Sequence, residues 1–188
     1  MNKLILTFFL ALLFVPSSVA AQSAQDDARA PAWDKRQFVI AVSRNVPVEV
    51  KLLKEESFED MSNVNWARDL EIKVKNTGSK PIYFIYVTLE MPEVFFFNTQ
   101  YAIQLHYGRA DLVRLTAPTK PDDIPIQPGG STIFTIPKSS LEMYEMNREQ
   151  EHLANPRTVR FVMNLINFGD GTGLAGIEGQ PLPHPIRN

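Results

Sequence analysis

Residues 70–83 read Leu70-Glu71-Ile72-Lys73-Val74-Lys75-Asn76-Thr77-Gly78-Ser79-Lys80-Pro81-Ile82-Tyr83. Leu70, Ile72 and Val74 alternate with Glu71, Lys73 and Lys75. An extended backbone turns successive side chains to opposite faces, so one face meets a core and the other meets water. The pattern over Asp69 to Lys75 is that of an antiparallel strand with one solvated face. Asn76-Thr77-Gly78-Ser79 then supplies turn chemistry: Gly reaches positive φ, and Asn bonds its own backbone two residues on. Pro81 to Met91 (PIYFIYVTLEM) follows as a nearly continuous apolar run. Its β-branched residues oppose a helix, and it reads as a central strand covered on both faces. Proline is tolerated at a strand's first position.

Further strands are expected outward from this pair. Gln37 to Ser43 and Val48 to Leu53 are short alternating runs, and Pro47 between them argues for an edge or a crossover. Tyr101 to Tyr107 alternates again, and Leu112 to Leu115 is placed to pair back. Ser131 to Ile136 follows the Pro128-Gly129-Gly130 turn, and Arg157 to Phe168 is the last strand. Lys54 to Asp60 reads as a charged connection and Thr116 to Pro128 as an extended one. Leu141 to Leu153 is the one helical stretch: Ser139-x-x-Glu142 has capping-box spacing, and Asn155-Pro156 ends it. Five glycines between Gly169 and Gly179 make the C-terminal stretch irregular. The fold class expected is mainly β: an antiparallel immunoglobulin-like β-sandwich with one short helix between two late strands. The sandwich domain is assigned to residues 35–169 and a Gly/Pro-rich tail to 170–188.

The N-terminus carries a targeting pattern. Lys3 gives a positive start, and Leu4 to Val15 is apolar apart from Thr7. Pro16-Ser17-Ser18 breaks the run, and Val19-Ala20-Ala21 offers small residues for cleavage. The apolar run is shorter than the roughly 20 residues of a membrane helix. Residues 1–21 are therefore read as a signal peptide and 22–34 as a flexible leader. An exported protein is expected, periplasmic or extracellular, with no membrane span after signal cleavage. The 188 residues include no cysteine, which excludes a disulfide scaffold, a thiolate zinc site and a cysteine nucleophile. Nineteen basic against 21 acidic residues leave no electrostatic footprint for nucleic acid.

The passage Leu70 to Tyr83, a strand ending in Asn-x-Gly with the next strand after a short turn, resembles exported bacterial immunoglobulin-like modules of the cell-adhesion-related bacterial domain type. Ile124-Pro-Ile-Gln-Pro-Gly-Gly-Ser-Thr-Ile-Phe134 resembles their later segment, in which Pro-Gly leads into a strand. The likeness covers roughly Asp69 to Ile136. It implies an immunoglobulin-like sandwich fold.

The candidate chemistry is sparse. Phe95, Phe96 and Phe97 are consecutive, and three successive side chains of an extended segment cannot all point inward. At least one is exposed or covers an edge, which makes them the candidate binding residues. Their alternative role is a lid over the open end of the sandwich. Asp170 and the Thr172 hydroxyl, within Gly169-Asp-Gly-Thr-Gly173, are candidate Ca²⁺ ligands, although one carboxylate falls short of the six to eight oxygens that ion takes. A tight turn in which Asp170 bonds local N–H groups competes with that reading. Glu55, Glu56, Glu59 and Asp60 cluster on a polar stretch that reads as solvated surface. His106, His152 and His184 lack ligand spacing, and no serine lies in a Gly-x-Ser-x-Gly elbow. No catalytic residue and no cofactor are assigned. The expected function is an exported, non-catalytic binding module of the cell envelope, with a protein or polysaccharide partner. The alternatives are an envelope hydrolase with a spatially assembled site and a Ca²⁺-stabilised structural domain.

Overall fold

The computed structural model describes residues 35–183. The expected signal peptide and leader, the final residues of the tail and His184 lie outside the described residues. The described chain is mainly β. In order, it contains β1 (Gln37–Ala41), β2 (Val48–Leu53), α1 (Glu55–Glu59), α2 (Trp66–Asp69), β3 (Glu71–Asn76), β4 (Phe84–Phe96), β5 (Thr99–Tyr107), β6 (Ser131–Phe134), α3 (Lys138–Gln150), β7 (Thr158–Asn167), β8 (Gly173–Ala175) and β9 (Gln180–Leu182).

The strands form two open sheets. The smaller is β2-β3-β6, antiparallel throughout. The larger runs β5-β4-β7-β8-β9, with β1 added parallel to β7. One edge of β7 is taken by β4. The other is shared end to end: β1 pairs with Thr158–Val162 and β8 with Leu165–Asn167.

The alternation in β3 sets its orientation as expected. Ile72 and Val74 are fully buried, while Lys73 and Lys75 are exposed. β4 is the central strand, flanked by β5 and β7, and Ile85, Val87, Leu89 and Met91 share its buried face. These residues join Ile72, Val74, Phe134, Phe161 and Met163 in one apolar cluster, so both sheets contribute to a common core. The turn after β3 is held by Asn76, whose Oδ1 accepts from the Gly78 N–H at 2.9 Å. Its Nδ2 donates to the carbonyls of Lys80 and, across the fold, Ile126.

The structure corrects several expectations. The second face of β4 is half-buried at Tyr86, Thr88 and Glu90 rather than covered. Only its start is closed over: the segment expected to pair back forms a 3₁₀ turn, Ala110–Val113, with Leu112 fully buried. The Asn167 side chain donates to the Leu112 carbonyl at 2.7 Å and pins that turn to β7. One helix is expected and three are present among the described residues. The charged stretch after Lys54 contains α1 because a single apolar residue, Phe58, is enough to seat one helical turn. Trp66 and Ala67 do the same for α2. α3 begins at Lys138, with Pro137 in the cap position and no serine side-chain cap bond. The Gly/Pro-rich stretch after Gly169 is not wholly irregular, because β8 and β9 continue the larger sheet. Glycine serves the pairing there: a Cβ on Gly173 would lie 2.3 Å from the Ile166 carbonyl oxygen.

Arg36 ties one end of the fold together. It is 1% exposed, and its guanidinium stacks on the rings of Phe58 and Trp66, with Cζ 5.4 and 4.9 Å from their centroids. Nη1 donates to the carbonyls of Phe58 (2.5 Å) and Asp60 (3.4 Å), and Nε to that of Pro156 (3.1 Å). The first two are carbonyls at the end of α1, where a helix leaves acceptors unpaired and favours a cation. Burial pulls the Arg36 pKa below its ordinary value, but a guanidinium remains protonated at neutral pH.

Candidate functional site

β4 does not stop at Met91. The pairing jumps from Met91↔Tyr101 to Phe95↔Gln100, so Pro92, Glu93 and Val94 bulge from the ladder. Each has a place. Val94 turns into the core at 2% exposure. The Glu93 carboxylate accepts from the backbone N–H groups of Arg157 and, at 2.5 Å, Thr158, which fixes the start of β7. Pro92 has no N–H to lose from a ladder that is already broken.

The strand then resumes for two residues and turns. Phe96 pairs with Thr99, leaving Phe97 and Asn98 as a two-residue hairpin loop. Their φ angles are +47° and +61°. A type I′ loop needs positive φ at both positions, which is why Asn-Gly is its common solution. Asn suits the left-handed region, and a bulky aromatic residue does not.

The three phenylalanines divide. Phe97 is 76% exposed and Phe95 57% exposed. Phe96 packs edge-on against Tyr101, with centroids 6.2 Å apart. From there an unbroken row of ring contacts runs through Tyr144 and Trp66 to Phe58 and Phe38 in β1. The hairpin therefore stands on a rigid aromatic base. Tyr101 is held further by the Asn147 side chain, which donates to its hydroxyl at 3.2 Å. On α3 the exposed Met143 and Met146 are three residues apart and share a helix face, with Met143 one turn before Asn147. No Asp, Glu, Lys or Arg occurs from Val94 to Tyr107.

The Asp170 loop is internally paired. The Asp170 carboxylate accepts from Lys80 Nζ at 2.7 Å, from the Thr172 hydroxyl at 2.5 Å and from the Thr172 N–H at 3.0 Å. Lys80 also lies over the Phe168 ring at 5.5 Å. The lysine and threonine bonds hold the Asp170 pKa down to about 2. The two candidate metal ligands are thus brought together with an ammonium group that occupies the position a cation would take. Among the described residues no group of three or more His, Asp or Glu converges on a point.

The other carboxylates are dispersed. Glu59 pairs with Lys35, and Asp60 accepts from Ser62. The sequence missed one acidic pair, Asp122 and Asp123, which lines an open cleft of about 370 Å³ with Tyr83, Tyr107 and Arg109. Asp123 is already engaged there: Arg109 donates to it through Nε (3.1 Å) and Nη2 (3.0 Å) and holds its pKa below the ordinary value. His106 lines a second cleft, of about 330 Å³, with Tyr107, Thr132, Ile133, Phe134, Thr135 and Pro137, none of which is acidic. His152 is exposed in the left-handed region after α3.

Glu93, Arg36 and the Met143–Met146 pair were not picked out from sequence. Glu93 sits beside Pro92 in the middle of β4, and a proline inside a strand is the available sign of a bulge. Arg36 has no local pattern to mark it. Comparison of the chain with family models, with curated proteins and with solved structures returns no match.

Proposed function

We propose that this chain is an exported, non-catalytic immunoglobulin-like β-sandwich module that binds a cell-envelope protein or polysaccharide through the β4–β5 hairpin tip. The observation that carries the reading is Phe97. Its backbone sits in the left-handed region, which costs an L-residue roughly 1–2 kcal/mol, and its ring is 76% exposed. Core stability gains little from such a residue. An exposed aromatic side chain on a rigid support is what a contact surface uses, because it brings large area at small entropic cost. Export rests on the apolar N-terminal run with its small-residue cleavage site.

The test is retention of partners on immobilised processed protein, from solubilised envelope proteins and from wall polysaccharides. The control is the Phe95→Ser/Phe97→Ser double variant, which leaves Phe96 on Tyr101. A partner held by the parent and lost by the variant is the expected result. Equal retention by both would remove the tip from the binding surface, and no retention by either, with both folded, would remove the binding reading itself.

A further inference from the structure

An edge strand presents a row of outward N–H and C=O groups, and exposed edges are ordinarily blunted by charge, proline, bulges or shortness. Among the described residues two edges lack those devices: β1, whose five residues Gln-Phe-Val-Ile-Ala carry no charge, Pro or Gly and whose Val39 and Ile40 are exposed, and β5, which is nearly twice as long. β2 carries Glu49 and Lys51, β6 has four residues, and β9 has three, one of them Pro181. β5 is the terminal strand of the larger sheet and has nine residues, Thr-Gln-Tyr-Ala-Ile-Gln-Leu-His-Tyr. It contains no Asp, Glu, Lys, Arg, Pro or Gly. Apart from its ladder with β4, none of its backbone groups is hydrogen-bonded among the described residues. The ring contact and hydrogen bond it receives from α3 involve the Tyr101 side chain alone.

The seam beside this edge is open. β6, the terminal strand of the smaller sheet, approaches β5, and between them lies the cleft of about 330 Å³ that reaches from His106 and Tyr107 to Thr132–Thr135 and Pro137. A strand added to β5 would place alternate side chains inward, toward that cleft, and the others beside Gln100, Ala102, Gln104 and His106 on the outer face.

We infer that the β5 edge is a strand-addition site, which accepts an extended polypeptide segment of a partner protein and receives one of its inward side chains in the β5–β6 cleft. Main-chain pairing provides affinity in this mode and the side pocket provides selectivity. Only another extended backbone repeats donors and acceptors at the spacing of this row. A second copy of β5 fits less well than a free segment. Its inward side chains Tyr101, Ile103, Leu105 and Tyr107 pack in its own core, so they are not available to fill this cleft. The site is separate from the phenylalanine tip and is tested separately.

The full exported chain is screened against a display library of random dodecapeptides, and selected peptides are resynthesised with N-methyl groups on alternate residues, in the two possible phases. Strand addition predicts that one phase lowers affinity roughly tenfold or more, through lost main-chain hydrogen bonds, while the other phase binds normally. It also predicts slowed hydrogen exchange at amides within Thr99–Tyr107. Thr135→Trp, which fills the cleft from an exposed position, weakens the same peptides with an unchanged melting midpoint. Phe95→Ser/Phe97→Ser binds them as the parent does, so loss of the tip function leaves this site readable. Binding indifferent to both N-methyl phases, or protection elsewhere, would overturn the assignment. Failure to select any peptide would overturn it as well. If that failure came with a dimer protecting β5, the occupant would be a second copy.

Discussion

Replacing Phe97 by Asn separates a contact residue from a packing residue. Three contributions to stability change, and each can be sized. Asn tolerates positive φ, so relief at φ +47° returns about 1 kcal/mol. The edge contact with Phe96, centroids 4.4 Å apart, is lost at about 0.5–1 kcal/mol. Phe97 is 76% exposed, so about a quarter of its surface is covered. Full burial of a phenylalanine contributes about 1.5–3 kcal/mol, which makes the covered quarter worth about 0.5 kcal/mol. The gain and the losses nearly cancel, and the net change is a loss of about 0.5 kcal/mol or less. For a chain of this length that moves the melting midpoint by about 2 °C. Urea unfolding followed by far-ultraviolet circular dichroism measures it, with partner retention measured on the same preparation. The expected pair of results is near-parental stability and lost retention. A destabilisation of about 1.5 kcal/mol or more would refute the reasoning, because Phe97 would then be acting as a lid on the fold.

Arg36→Ala strips the Phe58 and Pro156 carbonyls of their donor, leaves the Asp60 carbonyl to the Asn63 N–H, and empties space between Phe58 and Trp66. It should cost about 3–5 kcal/mol in urea unfolding, and Arg36→Met, which keeps the volume and removes the buried charge, should cost clearly less. The Lys80–Asp170 pair gives a pH signature. Asp170 has its folded pKa near 2, below the ordinary 3.8, so its contribution is complete above about pH 4 and is lost as the pH falls toward 2. Both side chains are about half exposed, so the contribution is about 1 kcal/mol or less after screening by solvent. Asp170→Asn should flatten that step in a pH series of melting midpoints, and an unchanged slope would argue against the pair. Glu93→Ala removes the carboxylate acceptor of the Arg157 and Thr158 N–H groups. It should cost about 1–2 kcal/mol and speed hydrogen exchange at those amides; unchanged exchange there would show that Glu93 does not fix the start of β7.

The sequence by itself determined which residues of β3 and β5 face inward. Alternation is a local property, because the strand repeat turns each successive side chain over. Leu70, Ile72 and Val74 are buried for that reason, and the local half of Asn76's bonding, to the Gly78 N–H, follows from turn chemistry alone. The candidate phenylalanines were legible as a group, since three in a row cannot all be buried. What divided them was the register jump after Met91, which depends on how β4 meets both β5 and the start of β7. The pairing of strands is likewise tertiary. β1 and β8 share one edge of β7 although more than a hundred residues separate them, and no periodicity records which strands lie side by side. Arg36 is the limiting case. A lone arginine near the start of the fold has no helical or strand signature, and its stacking rings and carbonyl partners come from Phe58, Trp66, Asp60 and Pro156. The open β5 edge belongs to the same class: its lack of charge is written in the sequence, but its being an edge is decided only by where the sheet ends.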